Sequence, residues 1–325
     1  MRKLSGLFIT AMLALSLTAS FNGCGGGGAS TSRGGGTDAT LTAANAPQVG
    51  DAVTQAVKLV GPVTALAEVK GASLSPAGKA PLISIFENIV PVVRNHAANE
   101  KQSSALYTSP CPGGGSIEVG VPVPVSLDHV KADVNVNSCT MGSEAMNGAL
   151  KVTVPVGAIS DLAHVTEFTI EASSFTYSDP HSTISLEDNF TMVASGITYN
   201  GNSLSQGSLT LGGSVVGSID GNQVNIGCDS LRFQLLSANT SGVTVSVSGR
   251  MSASCLGGWV IIGTNVPVFL PAHASCPTGG EVLVSAGGNN VTVHIAADSS
   301  ITISFNGSVV HTYNNCNEVI GICRG

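Results

Sequence analysis

The chain has 325 residues, of which 10% are charged, 43% hydrophobic and 4% aromatic, and it carries a net charge of -7. After Lys151 the only basic residues are Arg232, Arg250 and Arg324, so no basic stripe exists to neutralise phosphates and nucleic acid is excluded as a partner. The polarity comes instead from Ser, Thr, Asn and Gly, a surface type that suits an exported β protein.

Residues 1–23 have the three-part form of a secretory signal. Arg2 and Lys3 supply the positive start, Leu7 to Ala19 an apolar run, and small or polar residues lead up to Cys24. The run falls short of the roughly 20 apolar residues that span a bilayer. Removing it leaves 11 basic against 20 acidic residues, a net -9. The stretch Phe21-Asn22-Gly23-Cys24, followed by Gly25–Gly28, resembles a bacterial lipoprotein signal. Gly23 matches its small residue before the cysteine, while Phe21 and Asn22 depart from its aliphatic and small positions. The resemblance implies cleavage, lipidation of Cys24 with palmitate-type acyl chains, and attachment to a cell-envelope membrane, with the outer membrane as the expected site. More than one acyl chain makes such an anchor stable.

Residues 24–46 read as a flexible Gly/Ser-rich tether, reaching about 25 Å in root-mean-square terms. Residues 47–106 read as a helical segment that packs on a sheet. Val53, Ala56, Val57, Val60, Thr64 and Ala67 recur at helical spacing, as do Leu82, Ile85, Phe86, Ile89, Val93 and Ala97. Pro62 and Pro91 interrupt the two stripes.

From Ser116 the period becomes two, in Ile117, Val119, Val121, Val123 and Val125, then Val152, Val154 and Val156, then Phe168, Ile170 and Ala172. Turn signals punctuate the runs at Asp179-Pro180, Asn200-Gly201, Asp220-Gly221 and Asn306-Gly307. The last, between Ile301–Phe305 and Ser308–Tyr313, predicts a type I′ hairpin. Phe168–Tyr177 repeats as Phe190–Tyr199, with six of ten positions identical. In both copies the apolar parity switches, at Ser173-Ser174 and at Ser195-Gly196, which predicts paired β-bulges and a curved sheet. The fold class expected is therefore mainly β with an N-terminal helical segment. A large curved antiparallel meander over 107–255 is packed by one or two helices, and 256–325 forms C-terminal β-hairpins. A transmembrane barrel conflicts with the scarcity of aromatic residues.

Eight cysteines suit an oxidising compartment. With Cys24 lipidated, seven remain. Two similar openings, Cys111-Pro112-Gly113-Gly114 and Cys276-Pro277-Thr278-Gly279-Gly280, each lead a strand-rich run that closes on another cysteine. The expected bridges are Cys111–Cys139 and Cys276–Cys316, then Cys228–Cys255, leaving Cys323.

The chain contains no nucleophile elbow, zinc-binding helix motif, phosphate loop or EF-hand loop. No catalytic, metal or cofactor site is assigned. The histidines are scattered; His294 and His311, with Asp298, are the pair most able to meet. Ser248-Gly249-Arg250, Gly257–Thr264 around Trp259, Pro271 and Gly279–Val284 resemble a module of uncharacterised proteobacterial lipoproteins, which offers no activity to carry over. The expectation is a non-enzymatic envelope lipoprotein with a structural or binding role. Its partners would be the membrane, through the anchor, and an apolar ligand or an envelope protein. The alternatives are a carrier or chaperone of apolar cargo in a sheet–helix cleft, and a hydrolase or metal-dependent enzyme whose site is assembled from distant residues.

Overall fold

The computed structural model describes residues 36–59, 89, 93, 106–155, 166–180, 182–187, 189–200, 203–219, 222–239, 241–253, 256–271 and 276–319. The signal, Cys24 and residues 24–35 lie outside them, as do Cys255, Cys323 and most of the two predicted helical stripes.

The N-terminal helix α1 spans Ala46–Leu59. A reciprocal cap starts it: Asn45 Oδ1 accepts from the Thr42 amide at 2.8 Å, and Thr42 Oγ1 accepts from the Asn45 amide at 3.3 Å. Pro47 falls in the first turn, where a missing amide proton costs nothing. Ala46, Val49, Ala52 and Val53 are buried. At Gly50 an added Cβ would lie 2.3 Å from Ile303 Cδ1, so the glycine lets the helix lie close on the sheet. Of the second stripe, Ile89 and Val93 are helical and buried in the same core as the sheet.

The strands are β1 (Tyr107–Pro110), β2 (Ser116–Val119), β3 (Val123–Pro124), β4 (His129–Met141), β5 (Glu144–Pro155) and β6 (Phe168–Ser178). They continue as β7 (Ser182–Leu186), β8 (Phe190–Asn200), β9 (Ser203–Ile219), β10 (Asn222–Asn239), β11 (Gly242–Ala253) and β12 (Gly258–Val266). The C-terminal set is β13 (Val268–Pro271), β14 (Gly280–Ala286), β15 (Asn289–Ile295), β16 (Ile301–Phe305) and β17 (Ser308–Tyr313). All belong to one 17-stranded sheet. Every ladder is antiparallel, and the pairing follows chain order, as a meander should. Three local departures occur. Strands β2 and β3 share the flank of β4. The end-to-end strands β7 and β8 share the space between β6 and β9. Strands β12 and β13 share the flank of β11.

One face of the sheet is apolar and buried. It carries Val134, Val136, Leu150, Val152, Ile170, Phe175, Phe190, Phe233, Val245, Val284, Val293 and Ile303, and α1 packs on β15, β16 and β17.

A crease crosses this sheet at right angles to the strands. Three registers each set two residues opposite one: those between Val136 and Cys139 on β4 against the one between Met146 and Gly148, those between Cys228 and Leu231 on β10 against the one between Leu211 and Gly213, and those between Asp229 and Arg232 against the one between Ser248 and Arg250. Strand β6 adds Ser173 at the same height, and the break between β7 and β8 continues the line. Left-handed residues mark it, among them Ser138 (φ 47°), Gly148 (φ 124°), Asn189 (φ 81°), Gly213 (φ 87°) and Ser230 (φ 55°). An extra residue switches side-chain parity, so apolar residues stay on one face on both sides of the bend.

Both expected bulges form, but they are not side by side. In the β6–β8 ladder Phe168 pairs with Ala194 and Ala172 with Phe190. The Ser173 bulge therefore faces β5 at one end, and the Ser195–Thr198 bulge faces β9 at the other. The Asn306-Gly307 hairpin has φ values of 47° and 83°, the positive pair of a type I′ turn. Residues 36–45, assigned to the tether by composition, instead pack on the body.

Candidate functional site

Cys111–Cys139 and Cys276–Cys316 are both disulfide-bonded, with Cα–Cα distances of 5.5 and 5.6 Å. The third expected bridge is not formed: Cys228 is a buried free thiol. Its neighbour across the ladder is Met251, and β11 runs away from it to Ala253, two residues short of Cys255. Burial in an apolar surrounding pushes the thiol up to about 12, which makes it a packing residue rather than a nucleophile. Nor are His294 and His311, the histidines best placed in the sequence to come close, brought together. They stand on β15 and β17 with β16 between them. His294 lies 3.6 Å from Glu281, while Asp298 accepts from the Ser300 amide, which holds its carboxyl below the usual range.

Two constellations do assemble. The first joins the incoming chain to the body. Thr37–Ala39 runs beside the start of β12 as a parallel bridge between Asp38 and Trp259. The Ala39 amide donates to the Trp259 carbonyl at 2.9 Å and the Trp259 amide to the Thr37 carbonyl at 3.0 Å. A Cβ on Gly36 would sit 2.2 Å from Trp259 Nε1, and one on Gly258 would sit 2.6 Å from the Thr37 carbonyl. Only glycine at both positions allows this approach. Arg250 reaches Asp229 at 3.3 Å and Asp38 at 3.4 Å, with its guanidinium 5.3 Å from the Trp259 ring centre. Ala39 and Leu41 are buried, and Asn289 Nδ2 donates to the Leu41 carbonyl at 3.1 Å. The module around Arg250 and Trp259 is thus a docking slot for the chain's own N-terminal segment.

The second constellation surrounds His129, at the start of β4. Ring Nδ1 lies 2.9 Å from Asp128 Oδ1 and 3.2 Å from Ser126 Oγ, and Nε2 lies 2.7 Å from Glu167 Oε1. Ser126 Oγ donates to Asp128 Oδ1 at 2.6 Å. That hydrogen bond, followed by the one from His129, holds the Asp128 carboxyl below its ordinary value. Asp128 first, and Glu167 second, raise the His129 imidazole above its ordinary value. Because the folded value is raised, the contribution of His129 to stability is complete below the unfolded pKa of about 6.5 and fades as pH rises through the folded value.

Serine, histidine and carboxylate invite comparison with a hydrolytic triad, but the hydrogen-bond partners differ. A general base needs one ring nitrogen free to take a proton. Here both ring nitrogens face carboxylates, and the serine hydroxyl donates to Asp128. The arrangement is a clamp of two carboxylates on one ring, which favours its protonated form. Its sequence signal was Ser-x-Asp-His at the start of a strand; the decisive partner, Glu167, lies 38 residues away.

Among the described residues no group of three or more His, Cys, Asp or Glu side chains is placed to hold a metal ion, and no helix is long and apolar enough to cross a membrane. No family model, curated protein or solved structure matches the chain.

Proposed function

We propose that this protein is a non-enzymatic cell-envelope lipoprotein, held at the outer membrane by lipid on Cys24, whose sheet body does structural or binding work. The observation that supports this most is the docked segment 36–41. A tether that positions a body needs a fixed point of attachment, and the Trp259 slot supplies one through backbone bonds, close glycine contacts and the Arg250 pairs. The blocked nitrogens of His129 support a non-catalytic role. Ile89 and Val93 already occupy the core against the inner face of the sheet, which favours a packed body over a carrier with an open cleft.

The test is expression of the full chain, wild type and Cys24→Ser, with labelled palmitate. The wild type is expected to take up label and fractionate with membranes, and the variant to be unlabelled and released. An unlabelled wild type would overturn the assignment, as would a variant that stays on the membrane.

A further inference from the structure

The clamp at His129 ties together two parts of the sheet that no backbone ladder joins. His129 opens β4, Glu167 immediately precedes β6, and β5 runs between them, with its last residue, Pro155, paired to His129. The ion pair therefore steps over a whole strand. It also closes the turn Val125–Asp128, whose Val125 and Ser126 amides donate to the His129 carbonyl at 3.0 and 3.4 Å. That turn carries the most uncovered large apolar side chain among the described residues, Leu127 at 105% exposure, beside Val125 at 53% and Val123 at 59%.

The charged groups around the ring among the described residues are two. Asp128 faces it from the turn and Glu167 from the β6 side, while β5 offers only the uncharged Pro155. Further along, Lys131 and Glu171 pair with each other at 2.7 Å, again across β5. An imidazolium can donate to both carboxylates. A neutral ring has one N–H, so its second nitrogen presents a lone pair to a carboxylate oxygen, and one of the two contacts must open.

We propose that His129 is a proton-operated latch: protonated, it fastens the Val125–Asp128 turn to the start of β6, and neutral, it releases that turn and its Leu127 tip. The latch rests on the side-chain geometry alone and stands whether or not the lipid anchor does. Its output is local, a change in the order of one apolar turn, because the surrounding ladders do not depend on it.

The test is amide hydrogen exchange on the full-length chain at pH 5.5 and 8.5, corrected for intrinsic rates, read on peptides covering Val121–Lys131. Protection of the Val125 and Ser126 amides is expected to fall about fivefold at the higher pH. Glu167→Gln, which leaves the ring one carboxylate, is expected to show the lower protection at both pH values. Glu281→Gln, which removes the contact to His294, is expected to leave the response intact. Equal protection of the wild type at both pH values would overturn the latch. So would a full pH response in Glu167→Gln, or a loss of protection spread evenly over the sheet.

Discussion

Single residues carry the attachment of the chain to its body. Gly36 and Gly258 are there because the Trp259 ring and the Thr37 carbonyl occupy the space a side chain would need. Trp259 is the only tryptophan and is half-buried by this contact, so it reports on docking directly. Gly36→Val is expected to lift the strap off the ring and shift tryptophan emission to longer wavelength, with the far-ultraviolet spectrum unchanged. An emission spectrum identical to wild type would show that the ring is not covered by residues 36–39. Cys228 makes the complementary point. A cysteine that looked like half of a bridge is an inward-facing apolar residue at the crease, with Met251 across the ladder. It is expected to resist thiol reagents in the native protein and to react once denaturant opens the core, by mass spectrometry of the labelled chain.

At the scale of elements, the bulges decide which face of each strand is wet. In β6, Phe168, Ile170 and Ala172 are buried on one parity and Phe175 and Tyr177 on the other, with Ser173 as the extra residue. Deleting Ser173 would turn Phe175 and Tyr177 to solvent. Each is about 1% exposed, and losing the burial of one large aromatic costs about 3–5 kcal/mol. The deletion is therefore expected to abolish cooperative unfolding, whereas Ser173→Ala should change the denaturant midpoint little. Gly148→Ala, across the same crease, should fall between them. Its φ is 124°, and an added Cβ would lie 2.0 Å from the Ser174 carbonyl. If the deletion folds with a wild-type midpoint, the register account of the crease is wrong.

At the scale of the whole molecule, among the described residues a single meander leaves its two end strands without further ladder partners, and the disulfides sit near both. Cys111–Cys139 ties the end of β1 to β4, and Cys276–Cys316 ties the approach to β14 to the turn after β17. They close loops of 28 and 40 residues, for which chain entropy alone predicts a contribution of about 3–4 kcal/mol each. Paired Cys276→Ser and Cys316→Ser substitution is expected to lower the unfolding free energy by about 2–4 kcal/mol. It should also raise exchange in β16 and β17 before the central strands. Equal loosening of β9 and β10 would mean the bridge does not act at the edge.

Local pattern alone determined the β class, the helix near residue 50, the type I′ turn at Asn306-Gly307, both bulges and two of the disulfides. Those features are written in neighbouring residues, as alternation, parity switches, turn chemistry and matching cysteine openings. Only the tertiary structure decided the rest. The row of bulges became a crease because meander pairing brings Ser138, Gly148, Ser173, Gly213 and Ser230 to one height. The tether boundary moved because residues 36–41, which have no core of their own, borrow one from Trp259 and its neighbours. Glu167 chose His129 over every other charged group because two strands pairing with β5 placed them across it. Hydrophobic periodicity is local and survives in the sequence; contacts between polar groups far apart in the chain depend on register, which exists only once the sheet has formed.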